Sequence, residues 1–427
     1  MAGARDAALQ GLIAFRRSGA WPDLELKRLS QDLSPEDAAL TTALVYGTLQ
    51  NRMLIDFTLQ SISSMSLKKV MPQVLDALRL GAFQLLFLDR VPDSAAVNET
   101  VKLAKKHGGS RAGGYVNAVL RRLITLRDTD ALPQPGGATD ERLSIRYSHP
   151  LWFVRAMLER LGEDGCEALL RADNEPAATT LRVNTLKTDC DSLCTLLREQ
   201  GIECRPVPGL DNALETAQLG NPARLRAFRD GLFYIQDAAG QRCVAALAPT
   251  PGSFVIDMCA APGGKTLLCA QMMHNQGRIL AMDIHPHKAA LIEKNAVKYG
   301  ADIIEAVAAD ASKPVGALRQ SADFVLCDVP CSGFGVIRKK PDIRFKKPED
   351  IAELPALQQS ILCTAAGYVK PGGRLVYSTC TVLRQENEEV IERFIQGADD
   401  WALERMQTLW PHIDGTDGFF IARLARR

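Results

Sequence analysis

No stretch of this sequence approaches the roughly 18 consecutive apolar residues that a membrane-crossing helix needs. Its opening, MAGARDAALQGLIAF, lacks the basic start and apolar core of a secretory signal and carries an acid at Asp6. Both absences point to a cytoplasmic protein with reduced thiols and no membrane partner. Charge of one sign is also missing: 51 basic residues face 50 acidic ones, for a net charge of +1. A histone-like or tail-driven nucleic-acid binder is thereby excluded, but an enzyme with its basic residues gathered on one face is not. The eleven cysteines lack metal-site spacing. Cys190/Cys194 and Cys327/Cys331 are single pairs with no second pair to complete a tetrahedron, so no metal is expected. What is present is ordinary globular composition, 46% apolar and 24% charged. A chain of 427 residues exceeds one core, so two or three domains are expected, in a monomer.

Residues 1–130 read as an all-α domain. LTTALVYGTLQNRMLIDFTL and QVLDALRLGAFQLLFL carry apolar residues at helical spacing. Ser34 is a candidate N-cap with Pro35 at the first helical position. AAVNETVKLAKKHGGSRAGGYVNAVLRRL predicts two helices broken by the glycines at 108–109 and 113–114. The polar, Pro/Gly-rich stretch 131–141 is a linker. Residues 142–250 mix helix and strand signals, a small α+β unit. From 251 to 427 strand, loop and helix repeat. SFVIDM, RILAMDI, IIEAVAAD, ADFVLCDV and RLVYST are apolar enough for strands buried on both faces of a parallel sheet. The fold class is α/β, Rossmann-like, with ligands at the carboxyl ends of the strands.

VIDMCAAPGGKT (255–266) is the most informative segment. A buried strand ends at Asp257 or Met258, a small-residue loop follows, and a helix starts near Thr266. Gly263 and Gly264 let backbone approach a ligand. Cys259, Ala260, Ala261, Pro262 and Lys265 complete the candidate loop. Asp283 closes the next strand, where an acid accepts hydrogen bonds from ribose hydroxyls. The ligand is therefore nucleoside-like. A dinucleotide fingerprint needs a third glycine, and a phosphate loop needs glycine where Cys259 stands. Adenosine without phosphates fits better, and S-adenosyl-L-methionine is the common form. Asp310 and Asp328 end further strands around the same crevice. The plain alternative is that these acids cap helices.

CAAPGGKT, DVPCSGFGVIRKKPDIR (328–344) and YSTCTVLRQENEEVI (377–391) resemble the signature motifs of the RNA cytosine-5 methyltransferases, the NOP2/Sun group. The resemblance covers 251–427. The front half, with AVNETVKLAKKHG and YVNAVLRR, is similar to the antitermination factor NusB. Together they resemble the bacterial members that act on 16S ribosomal RNA, which implies a class I methyltransferase domain, an S-adenosylmethionine cofactor and an RNA partner. The chemistry explains why two cysteines are needed. C5 of cytosine is a poor nucleophile, and a thiolate adding to C6 turns the ring into an enamine whose C5 takes a methyl group. The thiol must later be expelled. Cys331 and Cys380 both follow strand ends, and chemistry alone leaves open which attacks. The resemblance implies that Cys380 is the nucleophile and that Cys331 serves product release, and it groups Asp328 with the donor site. Cys243, Cys269, Cys327 and Cys363 are expected to be small buried hydrophobes.

VIRKKPDIRFKK (336–347) has six basic residues in twelve, a candidate phosphate-binding run. Lys102, Lys105, Lys106, Arg121 and Arg122 are the candidate RNA surface of the helical part. Two other functions compete: a nicotinamide-dependent oxidoreductase, and a non-catalytic RNA-binding factor. A donor site selective for S-adenosylmethionine excludes the first, and loss of function on removing Cys380 excludes the second.

Overall fold

Capping chemistry starts the helices of the front half. The Ser34 hydroxyl accepts from the Asp37 N–H at 3.2 Å, and Pro35 opens the helix behind it. The computed structural model describes residues 3–18, 22–217 and 219–427. They form two compact units. One takes in the chain up to Glu175 together with Lys339–Lys346; the other is Pro176–Arg338 with Lys347–Arg427.

The first unit holds helices α1 (Ala4–Ser18), α2 (Pro22–Leu29), α3 (Pro35–Gln50), α4 (Arg52–Ile62), α5 (Pro72–Phe87), α6 (Asp93–Asp128), α7 (Thr139–Tyr147) and α8 (Leu151–Ala172). Their apolar faces meet in a core around Leu44, Leu59, Leu78, Leu80, Leu120 and Leu123. One expectation is corrected here. Only Gly109, at φ +73°, leaves helical geometry within α6; Gly113 and Gly114 continue it. The sequence expectation draws boundaries at 130, 142 and 250, whereas the compact units divide after Glu175, and α7 and α8 lie in the first.

The basic run also needs correcting. Arg344 is 1% exposed. It donates to the carbonyls of Tyr147, Ser148 and Asp173 at 2.9–3.1 Å and to Asn174 Oδ1 at 2.7 Å. Loss of water pulls its pKa down to about 10. This is a structural arginine inside the helical unit and faces no phosphate. Among the candidate surface residues, Lys102 pairs with Glu99 and Lys106 with Asp6, each at 2.7 Å.

The second unit begins with a small antiparallel sheet in the order β2-β3-β1-β4, built from β1 (Thr179–Val183), β2 (Arg205–Pro206), β3 (Ala213–Thr216) and β4 (Phe233–Ile235). Helices α9 (Cys190–Arg198) and α10 (Arg226–Arg229) accompany it, and α11 (Ala238–Leu247) leads on to the large sheet. That sheet has the order β10-β11-β9-β8-β5-β6-β7. Its strands are β5 (Phe254–Asp257), β6 (Arg278–Asp283), β7 (Ile304–Ala308), β8 (Ala322–Asp328), β9 (Val369–Thr379), β10 (Trp401–Leu409) and β11 (Phe419–Arg426). The first five run parallel; β10 and β11 join antiparallel. The helices are α12 (Gly264–Met272), α13 (Pro286–Tyr299), α14 (Leu354–Tyr368), α15 (Glu388–Gln396) and α16 (Pro411–Asp414).

Both sheet faces are covered. Ala239, Cys243, Leu267 and Cys269 pack on Val255, Leu326 and Val376. On the other face Ile361, Leu362, Val390 and Ile391 pack on Val325, Cys327, Leu375 and Tyr377. Burial on both sides explains the continuous apolar strand sequences. Cys243, Cys269 and Cys327 lie in these cores, but Cys363 is exposed on α14, contrary to expectation. The chain steps from β5 outward to β6 and β7, then returns to β8 on the other side of β5. The crevice between the β5 and β8 carboxyl ends is the switch point where α/β sheets hold ligands.

Candidate active site

Asp257 ends β5 and is 1% exposed. Its Oδ2 accepts from the Thr266 hydroxyl at 2.7 Å, while Oδ1 is buried without a protein partner. Burial is the main cause that lifts its pKa to about 7, with Asp328 adding. The chain then turns through Gly263, whose φ of +100° is a left-handed conformation that glycine adopts without strain. The result is a cleft of about 200 Å³ lined by Tyr234, Gln236, Asp257, Cys259, Ala260, Ala261, Pro262, Gly264, Lys265 and Asp328. Its small-residue wall leaves room for a flat ligand. A carboxylate with an unpaired oxygen asks for a cation. The chemistry of the cleft therefore fits a sulfonium nucleoside with an ammonium group.

The structure gathers most of the expected loop residues at this cleft, but not all the acids. Asp283 ends the neighbouring β6 and accepts from the His285 N–H at 3.0 Å. The Ala260 N–H donates to the Met282 carbonyl at 2.8 Å, which holds the loop beside that strand end. Asp310 is not among the cleft-lining residues. It accepts from the Ser312 N–H at 3.0 Å and the Ser312 hydroxyl at 2.6 Å and pairs with Lys313 at 3.1 Å. Those bonds hold its pKa low. In this structure Asp310 does the work of a turn cap.

Three cleft neighbours come from the small sheet and have no motif to mark them. Tyr234 and Gln236 line the cleft from the end of β4. Arg182 of β1 is 1% exposed and donates to Gln236 Oε1 at 2.5 Å and to the Gly264 carbonyl. Its guanidinium lies over the Tyr234 ring, 5.1 Å from the centroid. Burial lowers its pKa to about 10. A buried arginine thus holds the first turn of α12 from a distant part of the chain.

On the β8 side, Asp328 accepts from Lys265 Nζ and from the Ser378 hydroxyl, both at 2.7 Å. Burial opposes the Lys265 charge, but Asp328 outweighs it and holds the ammonium above its ordinary pKa, with Cys243 and Cys380 adding. Lys265 is a fixed cation beside the cysteine site, and a thiolate there gains from it.

Cys331 Sγ and Cys380 Sγ lie 3.1 Å apart, just past the ends of β8 and β9. The hydrogen bond to Cys380 is the largest cause that pushes the Cys331 thiol well above the ordinary range; burial and the negative charges of Glu386 and Asp328 add. Cys331 therefore keeps its proton and donates it toward Cys380.

The residues flanking both cysteines are held in turn. Glu386 Oε2 accepts from the Ser332 N–H at 2.8 Å and from Gln358 Nε2 at 2.9 Å. Gln358 Nε2 also donates to the Pro330 carbonyl at 3.0 Å. Asn387 accepts from the Thr379 hydroxyl at 2.5 Å and donates to the Thr381 carbonyl at 2.9 Å. The Gly335 N–H donates to the Cys380 carbonyl at 2.9 Å. A Cβ on Gly335 would fall 1.8 Å from the Gly418 carbonyl oxygen, so only glycine fits. Arg338, the other basic-run residue to be corrected, is 9% exposed at its side chain and pairs with Asp417 at 3.1 Å. It braces the loop that follows Cys331.

Comparison with known proteins agrees with this architecture. Residues 244–425 match the family model for 16S rRNA methyltransferase RsmB/F, residues 2–125 the NusB family, and residues 149–221 the RsmF/B-like ferredoxin-like domain. The crystal structure of PH0851 superposes with a TM-score of 0.81 at 27% identity, over 99% of this chain and 97% of that one. The ribosomal RNA small subunit methyltransferase B of Erwinia tasmaniensis is 33% identical, over 94% of each chain. The protein named "Probable ribosomal RNA small subunit methyltransferase B" of Bacillus subtilis is 38% identical over 99% of this chain and 98% of its own length. With the motifs, the switch-point cleft and this full-length identity together, the chain belongs to the ribosomal RNA small subunit methyltransferase B family.

Proposed function

We propose that this enzyme methylates C5 of a cytosine in 16S ribosomal RNA, acting as a cytoplasmic monomer, with Cys380 as nucleophile and Cys331 as the release residue. The 3.1 Å contact between two thiols on the rim of the donor cleft carries this reading. S-adenosylmethionine bound in the cleft supplies an electrophilic methyl group on a sulfonium. The Asp257 and Asp328 carboxylates match its positive charge, the small residues 259–264 admit its nucleoside, and Asp283 serves the ribose. We assign Asp310 a supporting place at the rim and no direct contact.

The Cys380 sulfur, with Lys265 nearby, is the better thiolate. It adds to C6 of the base, and the C5–C6 electron pair becomes available at C5. Once C5 carries the new methyl group, its C–H bond and the C6–S bond must both break. The C5 proton leaves to a base, its electrons restore the C5–C6 double bond, and the other pair returns to Cys380. Cys331, which donates toward that sulfur, stabilises the departing thiolate. A cytosine held in a helix has to swing out before C6 is accessible. In the basic run, Lys339, Lys340 and Lys347 are exposed and are the proposed phosphate contacts.

The test is direct. The full chain is incubated with labelled donor and a 16S ribosomal RNA transcript, and the digested nucleosides are resolved by mass spectrometry. 5-Methylcytidine is expected with the wild type and none with Cys380→Ala. A methyl group on N4 of cytosine, or on another base, would overturn the assignment.

A further inference from the structure

Glu386 and Asn387 are adjacent in sequence and each brackets one cysteine. Asn387 holds Thr379 and Thr381, on either side of Cys380. Glu386 holds Ser332 directly and, through Gln358, Pro330, on either side of Cys331. The Ser332 and Thr381 hydroxyls, 2.9 Å apart, close the frame. One dipeptide thus governs the spacing of two sulfurs that belong to different loops. The two brackets differ in charge: Asn387 is neutral, whereas Glu386 is a carboxylate, 0% exposed, whose Oε1 lacks any protein partner.

We infer that Glu386 is a positioning residue that keeps the proton of the thiol pair on Cys331, so that Cys380 is the sulfur free to attack. The inference rests on the nucleophile reading given above. A buried anion beside the Cys331 loop opposes a second negative charge there. The other groups facing this pair are Asp328 at the end of β8, Tyr377 on β9, and Lys265 of α12 next to Cys380. Asp328 already neutralises Lys265 at 2.7 Å, whereas no cation is bonded to Glu386, whose hydrogen bonds come from the neutral Ser332 N–H and Gln358 amide. The asymmetry between two otherwise similar thiols then follows from a group that never touches the substrate.

Thiol labelling tests this without any methyl transfer. The folded protein is treated with limiting iodoacetamide near neutral pH, and the Cys331 and Cys380 peptides are quantified by mass spectrometry. In the wild type the label is expected mainly on Cys380. Glu386→Gln, which keeps an acceptor and removes the charge, should raise the Cys331/Cys380 ratio by on the order of tenfold, the effect of about one pKa unit. Glu386→Asp should stay close to wild type. Should Glu386→Gln fail to fold, Gln358→Leu, which frees the carboxylate from the Cys331 loop, is expected to move the ratio the same way. Equal labelling of the two sulfurs in the wild type overturns the inference, as does an unchanged ratio in a folded variant that binds the methyl donor normally. An altered ratio in a protein that makes no 5-methylcytidine would retain the role of Glu386 and sink the proposed function instead.

Discussion

Ser332 Oγ and Thr381 Oγ1 lie 2.9 Å apart, and both residues are 0% exposed. The contact ties the residue after one cysteine to the residue after the other. Removing one hydroxyl leaves its partner buried and unpaired, at a cost of about 1–3 kcal/mol; replacing both with apolar groups is close to neutral. Ser332→Ala and Thr381→Val should each lower the melting temperature, and the double variant should recover most of the loss. Additive losses in a denaturation double-mutant cycle would show that the hydroxyls do not interact.

Cys380→Ala and Cys331→Ala should fail in different ways. The first removes the attacking sulfur and should yield neither product nor adduct. The second should leave attack intact and slow release, so a protein–RNA species resistant to detergent should accumulate on a denaturing gel. Free, unmodified RNA as the only outcome with Cys331→Ala would refute its release role.

Asp257 links donor binding to pH. Burial raises its pKa to about 7 from an ordinary value of 3.8. Its ionised form is therefore disfavoured in the free protein. The penalty is absent below the unfolded-state pKa, grows between about pH 4 and pH 7, and is full above that. A cationic donor binds the ionised form. Donor affinity measured by calorimetry should fall as pH drops through 7, and Asp257→Asn should abolish that dependence. The same variant should raise the melting temperature of the ligand-free protein above pH 7 while weakening donor binding. A flat affinity profile in the wild type would contradict this.

Gly335 is the tightest backbone crossing near the cysteines. Gly335→Ala drives a methyl group against the Gly418 carbonyl, 1.8 Å from the ideal Cβ position. Backbone cannot yield as a flexible side chain can. The loop that donates to the Cys380 carbonyl has to move, and kcat should fall by at least about 10²-fold, as expected for ångström-scale misplacement. Donor affinity should change little. Steady-state kinetics alongside donor titration separates the two effects.

The legible parts of the molecule are those with local signals. VIDMCAAPGGKT spells out strand, loop and helix within a dozen residues, and the structure sets β5, the cleft and α12 there. The five parallel strands were legible because burial on both faces leaves continuous apolar runs. β10 was not, because WALERMQTL places charges along an edge strand whose middle is exposed. Arg182, Tyr234 and Gln236 reach the cleft from a separate sheet, and no spacing rule connects them to Gly264. Glu386 sits in a polar stretch that reads as surface, yet it is fully buried. The basic run misled for a related reason. Sequence reports charge but not direction, and Arg338 and Arg344 turn inward.

The cage around Arg344 bears on how the chain matures. Its carbonyl partners, from Tyr147 to Asp173, leave the ribosome more than 150 residues ahead of the guanidinium they receive. Domains generally fold in order as they are synthesised. Here the helical unit has to wait, its last plug arriving only after β5 to β8 have been made. A ribosome stalled before residue 344 would carry a front half with an open socket, and the final step of its folding belongs to a stretch of message that also encodes the catalytic loop.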